Sequence, residues 1–356
     1  MSESVLELGP LTLECGVQLP NVALALSDLG PADAPVVLVI HALTGDHRPQ
    51  QWWSGVVGPG KEVDTGRFRT LCFNNLGSCY GSTGPRTQGF PRLAQVPGVR
   101  APAGTQGLPP TDEDWLPAPI TPWDQARALL LALDRLGVAR LELCAGGSLG
   151  GMIALCLGVL APERIGRLLV LAAQERTSPW VMGWNHVGRQ CILADHEHGL
   201  ERARQLAHLS YRANPGLELR QGRAQTCADW SAVQPYKLQT YLQHQGRKLA
   251  DRFDPRAYLC QLDAMDHHDI ERRPPRDPGE SWRPTEPWGL ARLPHTHLVG
   301  IDTDQLFPAA AVQALAARIP GAVYHELASP HGHDAFLLEW GQLGPIFARV
   351  LGGTTP

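Results

Sequence analysis

Apolar positions fall into two regimes along the chain. In the first, short apolar runs alternate with helical patterns. Val36-Val37-Leu38-Val39-Ile40 is a continuous run of the kind found in a strand covered on both faces, and Arg69 to Asn74 reads as its parallel partner. Leu11 to Leu19 and Val22 to Leu26 alternate as a hairpin-like pair. The Pro-, Gly- and Thr-rich stretch between Gly84 and Pro122 reads as a long surface loop. Thr121 then caps a helix with Pro122 in its first turn and Asp124 at the positive end of its dipole; it runs to about Leu136 and stops at Gly137. Leu141 to Cys144 predicts a strand, Ser148 to Leu160 a helix, and Leu168 to Leu171 a strand. This alternation argues for an α/β protein with a mostly parallel sheet and helices on both faces.

The second regime begins after Ala173. Buried-strand runs disappear, His, Arg, Gln and Trp become common, and Leu200 to Tyr211 and Tyr236 to Leu249 carry helical periodicity. Strand signals return at Thr296 to Ile301 and Val323 to Leu327, with helices at Ala309 to Ala317 and from about Ala335. The expected organisation is one core domain, 1–173 and 293–356, interrupted by a helical lid insertion at 174–292, with Glu271 to Pro287 as the link back.

Composition narrows the function. The chain has 356 residues, 43% of them hydrophobic, and a net charge of −4, so no basic surface suggests nucleic acid or an anionic membrane. Met1 to Leu8 carries no basic residue, as a secretory leader would, and the apolar runs are too short to span a bilayer. The eight cysteines form no C-x-x-C pair and several lie in apolar stretches. Reduced thiols in a cytoplasmic protein are expected.

Gly146-Gly147-Ser148-Leu149-Gly150 fits G-x-S-x-G between a strand and a helix. That is the context of a nucleophile elbow, and it implies an α/β-hydrolase fold. The motif lacks the lysine of a Walker loop and the spacing of a dinucleotide turn. Glycines let strand and helix pass closely, Ser148 projects at the carboxyl edge of the sheet, and the Leu149 N–H can meet an oxyanion. A second oxyanion donor is expected after the early buried strand, at the Leu43 N–H in His41-Ala42-Leu43-Thr44-Gly45-Asp46. An acid and a base should follow in the order Asp, His. The residues offer Asp302 or Asp304, and His331 or His333. His331-Gly332-His333-Asp334, His196-Glu197-His198 and His267-His268-Asp269 lack the spacing of zinc sites, so no metal is expected.

Several longer segments carry a resemblance. They are HALTGD at 41–46, GPGKEVDTGRF at 58–68, NNLGSCYGSTGP at 74–85, GGSLGGM at 146–152, NHVGRQCI at 185–192, LAHLSYR at 206–212, RFDPRAYL and AMDHHD between 252 and 269, DQLFP at 304–308 and GHDAFLLE at 332–339. In this order they resemble the homoserine O-acetyltransferase family, kin of the homoserine and serine O-succinyltransferases. The resemblance implies Asp304 as triad acid and His333 as base. It also implies Arg189 as a clamp for the acceptor carboxylate, Asp334 as partner of the acceptor ammonium, and a homodimer formed through the lid helices. The implied reaction is ping-pong acyl transfer from acetyl-CoA to L-homoserine through acyl-Ser148, in methionine biosynthesis, with acetyl-CoA as co-substrate and no bound cofactor. Succinyl-CoA as donor, serine as acceptor, and a plain serine esterase are the alternatives. His186 stands where the family often has Glu, and Leu149 where Met is more usual.

Overall fold

A computed structural model describes residues 2–98, 115–227, 236–275 and 286–352. Its centre is an eight-stranded sheet. The strands are β1 (Ser2–Thr12), β2 (Gln18–Leu29), β3 (Val36–Ile40), β4 (Arg69–Phe73), β5 (Leu141–Gly147), β6 (Ile165–Leu171), β7 (Thr296–Ile301) and β8 (Val323–Leu327). Their order across the sheet is β1-β2-β4-β3-β5-β6-β7-β8. β1 pairs antiparallel with β2 and β2 with β4, and every other pairing is parallel. Alternation along β3 shows why its run is wholly apolar. Leu38 and Ile40 enter one core cluster, while Val37 and Val39 enter a second that contains Trp53 and Phe347.

Helix α1 (Pro122–Arg135) starts as its sequence predicts. Thr121 accepts the Asp124 N–H, the Asp124 carboxylate accepts the Thr121 N–H, and Gly137 follows the helix at φ +65°. Helix α2 (Leu149–Leu160) follows β5 without a connecting loop and is buried along nearly its whole length. Between β6 and β7 the described residues contain only helices of regular length: α3 (Pro179–Ala194), α4 (Gly199–Tyr211), α5 (Asn214–Arg220), α6 (Lys237–Ala250) and α7 (Pro255–Asp266). Ser178 and Asp254 cap the first and last of these. Helices α8 (Ala309–Arg318) and α9 (Trp340–Gly352) complete the chain.

Three expectations need correction. The first hairpin begins at Ser2, and Leu11 to Leu19 spans its turn, because bulges around Gly9 break the alternation that would have marked β1. β5 runs three residues beyond Cys144: Ala145-Gly146-Gly147 has weak strand propensity, but its pairing with Leu169 to Leu171 holds it extended. The last helix is broken. A short turn at Ala335–Leu338 ends where Glu339 leaves helical geometry, and α9 starts at Trp340. Part of the loop after Gly84 and part of the link after Glu271 lie outside the described residues. Cys72, Cys144, Cys156 and Cys260 are buried thiols. No helix among the described residues is long and apolar enough to cross a membrane.

Buried histidines set an acid limit on the fold. Burial pulls His41 and His268 down to about 4. Both are neutral in the folded chain, whereas the unfolded chain takes up protons below about 6.5. Stability from these groups is therefore complete above pH 6.5 and is lost as pH falls towards 4, by on the order of 2 kcal/mol each at pH 5. Calorimetry between pH 8 and 4.5 should show a melting temperature that drops as pH falls below 6.5. His268→Gln, which keeps a donor for the Gln174 carbonyl, should shallow that drop.

Candidate active site

Ser148 joins β5 to α2 at φ 56° and ψ −126°, a region that a residue with a side chain rarely occupies. Its N–H donates to the Leu171 carbonyl at 2.9 Å, and its carbonyl accepts the Met152 N–H at 3.0 Å. Two glycines make the bend sterically possible. A Cβ on Gly146 would lie 2.3 Å from the Gly150 carbonyl oxygen, and one on Gly150 would lie 2.3 Å from the Ile40 carbonyl oxygen. On Gly147 it would strike the Phe336 ring at 2.6 Å. Strand, helix and the end of β3 thus meet backbone to backbone, with the Ser148 side chain where α2 begins.

The acid and base arrive from the ends of β7 and β8. His333 Nδ1 lies 2.7 Å from Asp304 Oδ2. The other carboxylate oxygen of Asp304 accepts the N–H groups of Leu306 and Phe307 at 2.8 and 3.0 Å, so the acid is held on both sides. The rings of Tyr211, Phe307 and Phe336 surround His333, which is nearly inaccessible to solvent. The rival residues are not paired with each other: Asp302 accepts the Ser329 N–H at 2.9 Å, and His331 Nδ1 is buried with no hydrogen-bond partner among the described residues. Burial opposes charge on the His333 imidazole, but the Asp304 charge and hydrogen bond, with Asp334 beyond, outweigh it and hold its pKa above the ordinary value.

The expected oxyanion donors flank this bend. Leu149 is the first residue of α2, so its N–H has no acceptor within the helix. Leu43 follows β3, whose Ile40 is paired with Gly146 of β5.

The charged residues are distributed differently from expectation. Arg189 on α3 does not stand ready for a substrate carboxylate: its Nη2 donates to Asp263 at 2.7 Å and Asp266 at 2.8 Å. Two carboxylates already neutralise it, which corrects its expected role. The arginine beside the His333 loop is Arg212, whose Nε lies 3.0 Å from Asp334 Oδ2. Its Nη1 is buried and has no hydrogen-bond partner among the described residues. Backbone packing brings it there. A Cβ on Gly332 would lie 2.7 Å from the Tyr211 carbonyl oxygen and the Ala213 nitrogen, and one on Gly216 would lie 2.3 Å from the Pro330 carbonyl oxygen. Arg212 closes the LAHLSYR segment, but nothing in an arginine after an amphipathic helix marks it as facing Asp334. Among the described residues no group of three or more His, Cys, Asp or Glu could hold a metal ion.

A serine at a strained bend on a helix N-terminus, with a buried Asp-His pair from the ends of β7 and β8, is the arrangement of the α/β-hydrolase class. The family model for the alpha/beta hydrolase fold matches residues 35–339, and the chain belongs to that family and, within it, to the homoserine O-acetyltransferases. It is 38% identical to homoserine O-acetyltransferase from Thermus thermophilus, over 95% of this chain and 88% of that one. It is 35% identical to the enzyme of that name from Moorella thermoacetica, over 96% and 93%. The crystal structure of homoserine O-acetyltransferase from Staphylococcus aureus superposes with a TM-score of 0.75 at 27% identity, covering 99% of this chain and 96% of that one.

The His333–Asp304 contact predicts a titration. By NMR, the His333 ring should take up its proton above pH 6.5. Asp304→Asn removes the charge, leaves burial in control, and should bring the midpoint below that value. An unshifted midpoint in the variant would contradict the assigned cause.

Proposed function

We propose that this chain is an L-homoserine O-acetyltransferase that works through an acetyl-Ser148 intermediate and supplies methionine biosynthesis. One observation carries the reading beyond family membership. Beside the His333–Asp304 pair lies an Arg212–Asp334 ion pair whose guanidinium retains a buried donor with no partner among the described residues. A free amino acid brings a carboxylate and an ammonium together, and this pair presents the complementary charges side by side. Arg212 would take the carboxylate and Asp334 the ammonium, leaving the side-chain hydroxyl to reach the acyl group.

In the first half-reaction His333 removes the Ser148 proton, Oγ attacks the thioester carbonyl, and the N–H groups of Leu149 and Leu43 receive the oxyanion. The tetrahedral species collapses, the C–S bond breaks, and His333 returns its proton to the departing thiolate of CoA. In the second, His333 takes the proton of the homoserine hydroxyl, the alkoxide oxygen attacks the acyl-enzyme, and Ser148 leaves with that proton. Asp304 fixes the imidazole with its proton on Nδ1, keeping Nε2 free to accept. The helices between β6 and β7 act as a lid over this site, and by excluding water they favour the amino-acid acceptor over hydrolysis.

In a CoA-release assay, release from acetyl-CoA should depend on L-homoserine and yield O-acetylhomoserine by mass, and it should exceed release from succinyl-CoA. Release without acceptor would mark an esterase. In the same assay Arg212→Ala should lower kcat/KM for homoserine about a hundredfold, the scale expected when one partner of a buried charged contact is removed. Arg189→Ala should act on stability, through the uncompensated Asp263 and Asp266.

Trp180 and Val187, on one side of α3, are exposed, Trp180 to 56%. We propose that two copies pair through this apolar face, as the lid helices of a cytoplasmic homodimer. Light scattering should give a dimer mass that Trp180→Asp reduces to that of a monomer; a wild-type monomer would refute the pairing.

A further inference from the structure

His41 is a wholly buried polar side chain next to the site that the reaction above does not use. It follows β3 directly. The Asn75 N–H donates to its Nε2 at 2.9 Å, and its Nδ1 lies 2.7 Å from the Ala42 carbonyl oxygen. An imidazole that accepts at Nε2 carries its proton on Nδ1, so Nδ1–H donates to Ala42. The same carbonyl accepts the Gly45 N–H at 3.0 Å. Asn75 Nδ2 also donates to the His41 carbonyl at 3.2 Å, fixing the backbone on the other side of the ring. Burial keeps the ring neutral, with its pKa lowered to about 4, so this arrangement persists across the working pH range.

The Ala42 carbonyl belongs to the same peptide group as the Leu43 N–H. In a trans peptide the two point in opposite directions. Pinning the carbonyl with two donors therefore aims the N–H, which has no acceptor among the described residues. We propose that His41 is a positioning residue: its Nδ1–H, with the tautomer set by the Asn75 N–H, aims the Leu43 N–H at the oxyanion formed on Ser148. The inference rests on the acyl-Ser148 reading above.

The test is the pre-steady-state burst of CoA from acetyl-CoA, alongside steady-state KM. His41→Gln places its amide near the Nε2 position and leaves the Ala42 carbonyl without this donor, whereas His41→Asn places an amide nitrogen near Nδ1. Gly45→Ala acts on the same ring from outside, since its Cβ would lie 2.9 Å from His41 Cβ and 3.2 Å from Nδ1. His41→Gln and Gly45→Ala should slow the burst about 10²- to 10³-fold, the loss typical of one oxyanion donor, with KM for acetyl-CoA little changed. His41→Asn should recover most of that loss. Burst rates near wild type in folded His41→Gln and Gly45→Ala, or equal losses for Asn and Gln, would overturn the proposal. If His41→Gln does not fold, Gly45→Ala decides alone. A burst that survives in Ser148→Ala would instead refute the acyl-serine reading, so the two failures are distinguishable.

Discussion

The backbone of Ser148 sits at a φ/ψ combination that costs about 1–3 kcal/mol to hold, and the surrounding structure is built to hold it. Three chain segments meet at distances that admit no Cβ: the end of β5, the start of α2 and the end of β3. Hydrogen bonds to Leu171 and Met152 pin the bend from the neighbouring strand and from within the helix. The consequence is directional. Once β5 must turn so sharply, its serine points off the carboxyl edge of the sheet. The loops after β3, β7 and β8 emerge at that same edge.

Among the helices between β6 and β7, the segment from Tyr211 to Gly216 lies against the loop from Pro330 to Asp334 at backbone contact, through Gly216 and Gly332. The Tyr211 ring lies beside the His333 ring, and Arg212 faces Asp334. His333 and the Arg212–Asp334 pair thus share one packed unit, so a shift of this segment would disturb them together. The ion pairs of Arg189 with Asp263 and Asp266 join α3 to α7. A charged residue can therefore belong to a family segment and still serve the scaffold.

Sequence and structure agree where local chemistry determines the outcome. The segments Val36–Ile40, Thr296–Ile301 and Val323–Leu327 become strands at those bounds, and the first is an unbroken apolar run because it is covered on both faces. The Thr121 cap and the Gly137 stop are equally local. The G-x-S-x-G bend was legible because Gly146 answers a steric demand made by Gly150 within the same five residues. Pairing Asp304 with His333, and not Asp302 with His331, was not legible from those residues alone. It depends on how two loops from different strands pack, and only the family resemblance chose between them. Arg212 escaped notice for the same reason, since its partner lies 122 positions away in sequence and its role comes from tertiary contact. The link from His41 through Ala42 to the Leu43 N–H was hidden because it depends on a ring tautomer set by Asn75.

The central claim is that Ser148 carries the acyl group between two half-reactions. Mass analysis of the proteolysed protein after incubation with acetyl-CoA, without homoserine, tests it most directly. An acetyl group on the peptide containing Ser148, discharged when homoserine is added, is the predicted result. An active preparation in which that peptide stays unmodified, with transfer passing directly from CoA to acceptor, would contradict it.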